Sequence, residues 1–219
     1  MTKKATLKIC QNTMMSSEIV AKYFPDLSEH QRWQYAQLDA LYHEWNSRIN
    51  VISRQDIDNL YEHHVLHSLA ISKMATFKAG DRILDFGTGG GFPGIPLAIF
   101  YPDCDFTLID GTGKKIRVAK EVCNAIGLKN CHPIHKRGEE ETGKYDYVVS
   151  RAVMPLDKMA AIVKKNIDHK KAKHGIYCLK GGILDEEISP FKKATDIQPV
   201  SQWFAEEWFK QKFCIFVSI

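Results

Sequence analysis

Two acidic residues and a run of glycines have the types and spacing of a site that holds a small molecule against bare backbone. Asp85 lies in the apolar run RILDF, and Gly87, Gly89 and Gly91 follow at every second position. Glycine weakens strands and helices, so it accumulates where the backbone needs positive φ or where something approaches it closely. Asp110 ends the run FTLID about twenty residues further on, where doubly wound folds place a carboxylate on ribose hydroxyls. This spacing predicts a loop that binds a nucleoside.

The glycine pattern separates the possible ligands. A dinucleotide fingerprint, G-x-G-x-x-G, needs its third glycine where this chain has Phe92, and the G-K-[S/T] of a phosphate-binding loop is absent. The pattern D-x-G-x-G-x-G, which is present, resembles motif I of S-adenosylmethionine-dependent methyltransferases. We expect Asp85 to act at the amino group of that cofactor, directly or through water. A nicotinamide-dependent enzyme or a non-catalytic nucleotide-binding domain is the rival interpretation.

Alternating strands and helices position this loop. Candidate strands are RILDF, FTLID, CHPIH, YDYVVS and GIYCL, followed by a pair around VSQWF and FCIFVSI. Helical patterns begin near Pro93, Gly113 and Pro155. This alternation predicts an α/β fold with a Rossmann-like, mostly parallel sheet of seven strands. The last two strands lack an intervening helix, which predicts an antiparallel hairpin at the sheet edge.

The first part of the chain has a different pattern. From Ser16 to about Thr76 the signal is helical, and Ser28 with Gln31 forms a capping box after Pro25. We therefore expect two parts, a helical N-terminal extension at residues 1–76 and a methyltransferase domain at residues 77–219.

Composition sets the broad class. The chain has 219 residues, 44% of them hydrophobic and 26% charged, as in soluble globular proteins. The start, MTKKATLKIC, lacks the apolar core of a signal peptide, which predicts a cytoplasmic protein. A net charge of +4 permits contact with a polyanion without requiring it. The six cysteines are scattered, which argues against a disulfide framework and a structural zinc site.

The methyl acceptor is indicated by what the fourth strand lacks. Enzymes that methylate exocyclic amines of nucleobases carry [D/N]-P-P-Y there, whereas this chain reads VVSRAVMP. The Pro-Cys nucleophile of cytosine-C5 enzymes is also missing. An acceptor with a free lone pair, such as a purine N7, needs neither device.

Several motifs in order then resemble one family. LDFGTGGGFPGIPLAI, FTLIDGTGKKIRVAK, VVSRAV and CLKGG, with WNSRINVIS and HVLHSL before them, are similar to the bacterial 16S ribosomal RNA guanine-N7 methyltransferases, the RsmG (formerly GidB) family. The resemblance runs from roughly Leu38 to Lys180. It implies a class I methyltransferase fold and methylation of one guanine at N7 near the decoding region of the small subunit. The departure is His67, which stands where the family's H-x-x-D-S-L has Asp, and we assign it no role.

The resemblance also implies site residues. Gly87 and Phe92 would contact the cofactor, Gly138 and Glu139 would lie near its adenine, and Arg151 would pair with the cofactor or an RNA phosphate.

Other candidates rest on residue type. Asn46 and Asn50 would share a helical face and could recognise the guanine edge, or equally cap the loop after that helix. His63 and His67 have the spacing of a metal pair but no evident third ligand, so we expect no metal. We assign no catalytic residue, and Arg151, Asn46 and Asn50 are the candidates for positioning the acceptor. The candidates for RNA binding are His64, Lys114, Lys115 and Lys180. We expect a monomer whose partner is 16S ribosomal RNA or the small ribosomal subunit; the alternative is a class I methyltransferase acting on another RNA, a small molecule or a protein.

Overall fold

The computed structural model describes residues 17–151, 153–170, 174–191 and 195–219. The α-helices are α1 (Glu29–Asn46), α2 (His67–Met74), α3 (Gly94–Phe100), α4 (Gly113–Ala125), α5 (Leu156–Val163) and α6 (Asp185–Ile188), preceded by helical residues 17–23. The strands are β1 (Arg82–Phe86), β2 (Asp105–Asp110), β3 (Cys131–His135), β4 (Tyr147–Arg151), β5 (Gly175–Gly181), β6 (Thr195–Pro199) and β7 (Lys212–Val217).

The strands form one seven-stranded sheet in the order β3-β2-β1-β4-β5-β7-β6. The first five pair in parallel, whereas β7 runs antiparallel to both β5 and β6. The order of the strands reverses between β1 and β4, and in open α/β sheets ligands bind beyond the carboxyl ends of the strands at such a point. The predicted α/β fold with an antiparallel edge hairpin is confirmed.

Helices cover both faces of the sheet. On one face, α1 to α4 bury one hydrophobic cluster that includes Leu38, Leu69, Ile95 and Val118. On the other, α5 packs Leu156 with strand residues in a second cluster. The strands of a parallel sheet that is covered on both faces are apolar throughout, which explains the continuous apolar runs in the sequence.

The helical N-terminal region packs directly on the sheet. The capping box begins α1 as predicted: Ser28 Oγ accepts from Gln31 N at 3.3 Å, and Gln31 Oε1 accepts from Ser28 N at 3.0 Å. After α1 the chain forms a 3-10 turn at Ile57–Asn59 and a π-helix at Leu60–Leu66, which leads into α2. These helices share their hydrophobic cluster with residues as far along the chain as Phe216. The division at residue 76 stays a prediction.

The first strand of the edge hairpin lies earlier in the chain than predicted. VSQWF was predicted as a strand, but β6 ends at Pro199 and Val200–Gln202 form a 3-10 turn. Proline fixes its own φ and donates no hydrogen bond, so a strand commonly ends there.

Five cysteines are free and buried, and Cys10 lies outside the described residues. None of the described helices combines the length and apolarity that crossing a membrane requires.

Candidate functional site

The glycine loop joins β1 to α3 and is tied to the neighbouring strand. The backbone N–H groups of Gly87 and Thr88 both donate to Ile109 O, at 2.9 and 3.0 Å. A Cβ on Gly87 would lie 2.5 Å from Val153 Cγ2, whereas a Cβ on Gly89 would meet no described atom within 4 Å. Gly89 has a φ of +59°, a conformation that side chains disfavour. The loop is therefore packed on one side and open at Gly89.

Asp85 lies beneath the loop and is fully buried. Its Oδ2 accepts from Thr88 Oγ1 at 2.5 Å and from Gly94 N at 2.7 Å, which fixes both the loop and the first turn of α3. Its Oδ1 accepts no hydrogen bond from any described residue. Burial raises the pKa of this carboxyl to about 7, because the charged form is poorly solvated there.

Asp110 ends β2 beside the same loop. Its Oδ2 accepts from Gly89 N at 3.0 Å and its Oδ1 from Thr112 N at 2.7 Å. A carboxylate has about four lone-pair sites, so each oxygen keeps the capacity to accept a further bond. The carboxylate is thus held in place by backbone groups while facing the cavities described next.

Two adjoining cavities surround these residues. The first, of about 240 Å³, contains Phe86, Gly138 and Met154 in its wall. The second, of about 310 Å³, is lined in part by Gly89, Phe92, Lys115 and Arg151. Three residues line both cavities: Gly87, Asp110 and Val153. The two cavities together form one elongated site along the carboxyl ends of β1, β2 and β4.

The first cavity has an apolar wall and, at its rim, charged residues of both signs, among them Glu139 and Arg137. Gly138 begins a 3-10 turn after β3, and a Cβ there would collide with the Phe86 ring, so only glycine lets that ring form the wall. Glu139 follows at the rim and is exposed. A flat apolar wall with polar groups at its edge suits a purine ring.

Arg151 ends β4 in the second cavity. Its guanidinium lies 5.2 Å from the centre of the Phe92 ring, within cation–π range. Its Nη1 donates to His63 O at 3.1 Å and its Nη2 to His64 Nδ1 at 2.9 Å. Burial lowers the pKa of Arg151 to about 10, so the side chain is still cationic at neutral pH.

The two asparagines lie in different surroundings. Asn46 is the last residue of α1, and its Oδ1 accepts from Val51 N and Ile52 N at 2.8 and 3.0 Å while its Nδ2 donates to Ile52 O at 2.8 Å. These bonds cap the following loop, which was one of the two predicted roles. Asn50 lies beyond the end of α1 and is exposed, so the predicted shared helical face is wrong.

The four residues predicted to bind RNA also lie in different surroundings. Lys114 is exposed at the start of α4, and Lys115 lines the second cavity. His64 contacts Arg151, as described, and its side chain is 12% exposed. Lys180 is buried, with its Nζ on Met154 O at 2.7 Å and on Glu187 Oε1 at 2.5 Å. Both of these contacts lie within the protein and hold the segment beside the first cavity.

Sequence reasoning missed the residues by which the N-terminal helices reach the site. Tyr42 Oη donates to Gly90 O at 2.9 Å, and Val51 packs so closely on Gly90 that a Cβ there would lie 2.8 Å from Val51 Cβ. Asp56 binds His64, which binds Arg151. Apart from the Asp56–His64 pair, which is eight residues apart, these contacts join positions 39 to 87 residues apart, and a single sequence has no signal for such a pairing.

The residues present fit S-adenosylmethionine. The open side of Gly89 leaves space against the backbone, and Asp110 has acceptor capacity for ribose hydroxyls. The buried Oδ1 of Asp85, which accepts from no described residue, is an acceptor that an ammonium group or a water molecule can satisfy. Within the described ranges, no group of three or more His, Cys, Asp or Glu side chains is arranged to hold a metal ion.

Solved structures share the fold at low sequence identity. A SAM-dependent methyltransferase from Aquifex aeolicus superposes with a TM-score of 0.53 at 15% identity, covering 76% of this chain and 98% of that one. The T. thermophilus 16S rRNA N2 G1207 methyltransferase RsmC, solved with AdoMet and guanosine, gives a TM-score of 0.51 at 12% identity over 78% of this chain and 44% of that one. The fold is that of class I methyltransferases.

Sequence comparison is more specific than the fold. The model of the GidB family, described as rRNA small subunit methyltransferase G, matches residues 31–212. Relatives named ribosomal RNA small subunit methyltransferase G include one from Bacteroides thetaiotaomicron, 56% identical over 92% of this chain and 100% of that protein, and one from Porphyromonas gingivalis, 51% identical over 93% of this chain and 94% of that protein. A match over this much of the chain, at this identity, shows that the chain belongs to the rRNA small subunit methyltransferase G family.

Proposed function

We propose that this methyltransferase transfers the methyl group of S-adenosylmethionine to N7 of one guanine in 16S ribosomal RNA, near the decoding region of the small subunit. It acts in the cytoplasm as a monomer and without a metal. The observation that carries the proposal is the elongated site at the carboxyl ends of β1, β2 and β4, in a chain of this family. The alternative is another RNA, a small molecule or a protein as the acceptor.

The chain's residues divide the work of holding the cofactor. Bound S-adenosylmethionine supplies an electrophilic methyl group on a sulfonium ion. Asp110 accepts from the ribose hydroxyls, Gly138 and Glu139 flank the adenine, and Gly89 lets the cofactor lie against the loop. Asp85 accepts from the amino group, directly or through water. Most of the acceleration then comes from holding the acceptor in line with the methyl group.

The walls of the second cavity support an acceptor that needs no base. Asp110 is the one carboxylate among the described residues that line it, and both of its oxygens already accept from backbone N–H groups. Thr88 donates its hydroxyl to Asp85. A purine N7 has its lone pair in the ring plane and carries no proton. The site therefore needs only to position a purine N7, whereas an exocyclic amine must lose a proton during transfer.

A cationic rim beside the second cavity supports RNA as the substrate. The half-buried Trp45 ring has the guanidinium of Arg48 at 5.5 Å and that of Arg117 at 5.9 Å from its centre. Lys114 and Lys115 lie on the same helix as Arg117, α4. We call these five residues the basic rim. Cations and an aromatic ring together suit a nucleic-acid strand, whose phosphates and bases they contact.

The deciding experiment uses methyl-labelled S-adenosylmethionine and small ribosomal subunits from a strain that lacks this gene. We expect label in 16S ribosomal RNA and, after reduction and aniline treatment, cleavage at one guanine, because N7-methylguanine is labile to that treatment. Subunits from the parent strain, already methylated, are the control and should take up no label. Labelled RNA without cleavage would contradict N7. Label in protein, or none at all, would favour the alternative acceptors.

A further inference from the structure

One carboxylate links the N-terminal helical region to the cationic side chain in the second cavity. Asp56, just before the turn at Ile57–Asn59, holds two consecutive histidines of the π-helix. Its Oδ1 lies 2.5 Å from His63 Nδ1, and its Oδ2 lies 2.7 Å from His64 Nε2. His64 Nδ1 in turn lies 2.9 Å from Arg151 Nη2. The chain of contacts is therefore Asp56, His64, Arg151.

The donors in this chain assign the proton on His64. A guanidinium has five N–H donors and no acceptor, so His64 Nδ1 must be an unprotonated acceptor. The single ring proton then lies on Nε2, which donates to Asp56 Oδ2. Burial, and secondly the charge on Arg151, lower the pKa of His64 to about 4, in keeping with a neutral ring at neutral pH. Asp56 supplies the acceptor that this tautomer needs.

The tautomer of His64 determines whether its ring can accept a hydrogen bond from Arg151. Arg151 is held by two acceptors from the π-helix, His63 O and His64 Nδ1, and its guanidinium lies against the Phe92 ring. If the proton moved to His64 Nδ1, that atom would present an N–H to the N–H groups of Arg151. The contact would become a repulsion between donors, and the guanidinium would leave its place on the cavity wall.

We propose that Asp56 is a positioning residue, which fixes the Nε2–H tautomer of His64 so that His64 holds Arg151 ready to bind an anionic group. The anionic group is either the carboxylate of the cofactor or a phosphate of the RNA. Only this choice depends on the proposed function. The relation resembles other sites in which a carboxylate fixes the tautomer and orientation of a functional histidine. Here the third member is a cation whose position the histidine sets.

The first test leaves Asp56 and Arg151 unchanged. In protein labelled with ¹⁵N-histidine, the two ring nitrogens of His64 report directly which one carries the proton, and a His64→Gln variant identifies the signals. At pH 7 we expect a neutral ring with the proton on Nε2. A proton on Nδ1, or a doubly protonated ring, overturns the proposal, whatever the methyl acceptor is.

The second test asks whether Asp56 acts through Arg151. Asp56→Leu removes the acceptor, and we expect about tenfold weaker binding of adenosylhomocysteine if Arg151 holds the cofactor carboxylate. If Arg151 holds an RNA phosphate, the KM for small subunits rises by a similar factor instead. In an Arg151→Ala background, Asp56→Leu should then change neither quantity. Asp105→Leu is the matched control, because Asp105 holds the exposed His132 at 2.8 Å at the opposite end of β2.

The outcomes separate positioning from a structural clamp. A loss of the same size with and without Arg151 would mean that Asp56 merely stabilises the fold, and it overturns the proposal. The proposal is also overturned if Asp56→Leu changes neither the affinity for adenosylhomocysteine nor the KM for small subunits. Should that variant fail to fold, the ring nitrogens of His64 in the wild-type protein still decide.

Discussion

At the scale of single residues, Gly89 and Gly127 form a natural pair. Both have positive φ, +59° and +66°, and a Cβ on either would meet no described atom within 4 Å. Gly89 faces the second cavity, whereas Gly127 lies in the turn after α4, at the other end of the sheet. The two glycines therefore differ in their surroundings, since only Gly89 lies in the candidate site.

Gly89→Ala therefore tests the site with a built-in control. We expect both Gly89→Ala and Gly127→Ala to lower the free energy of unfolding by about 1–2 kcal/mol, the cost of placing a side chain in the left-handed region. Only Gly89→Ala should weaken adenosylhomocysteine binding, by about tenfold or more, because its methyl group enters the space of the cofactor. Calorimetric titration and denaturant unfolding measure the two effects. Equal affinity in both variants would show that the cofactor does not pass Gly89.

Much of the candidate site could be predicted at this scale, since Asp85, Gly89 and Asp110 lie close together along the chain or end neighbouring strands. Lys180 could not be interpreted in this way. Its position at the end of β5 resembles that of a phosphate contact, but the structure pairs it with Glu187. The sequence separation gives no hint of that pair, and only the position of α6 creates it.

At the scale of elements, α1 acts as a brace for the cofactor loop. Tyr42 donates its hydroxyl to Gly90 O at 2.9 Å, and Tyr35, two turns earlier on α1, donates to Pro96 O at 2.8 Å. Both tyrosines are fully buried. The first bond fixes the glycine loop itself, and the second fixes only α3 behind it.

Comparing Tyr42→Phe with Tyr35→Phe separates the effect of α1 on the glycine loop from its effect on the stability of the fold. Each variant removes one buried hydroxyl and leaves a carbonyl without its partner, so each should lose about 1–3 kcal/mol of unfolding free energy. We expect Tyr42→Phe alone to weaken adenosylhomocysteine binding, by about threefold or more, because the loop then samples other conformations. Affinity and melting temperature are measured on the same samples. A matching loss of affinity in Tyr35→Phe would mean that general stability, not the loop, sets binding.

The type of each element was more predictable than its ends. All five parallel strands were predicted as strands, and inner ones such as β4 and β5 have the unbroken apolar pattern of strands that are buried on both faces. VSQWF was predicted as a strand because its apolar residues Val200 and Phe204 fill the core, although the backbone at Val200–Gln202 forms a 3-10 turn. The π-helix at Leu60–Leu66 has no sequence signature, since one extra residue in a turn hardly alters helical periodicity.

At the scale of the whole molecule, charge is placed locally. The net charge of +4 is small for a chain of 219 residues, so its total says little about a polyanionic substrate. What supports RNA is the basic rim beside the second cavity, where Arg48 and Arg117 share the Trp45 ring. We expect this rim, and not the overall charge, to govern how binding depends on salt.

The rim can be tested by the slope of affinity against salt. The double variant Arg48→Ala/Arg117→Ala should reduce the slope of log K against log salt concentration for small-subunit binding by roughly 1–2, because each phosphate contact contributes roughly 0.7–0.9. Adenosylhomocysteine binding should stay unchanged. Lys129→Ala removes an exposed cation in the loop between α4 and β3, and it should leave the slope as it is. An unchanged slope in the double variant would exclude the rim as the RNA contact.

The position of β7 in the sheet has a consequence for the synthesis of the chain. β7 follows β6 in sequence, yet it lies between β5 and β6 and pairs antiparallel with both. During translation β6 therefore leaves the ribosome before the strand that joins it to the sheet exists. Unpaired strand edges invite pairing with other chains. A nascent chain made only as far as residue 211 thus exposes the edges of two strands at once, and the six residues of β7 cover both.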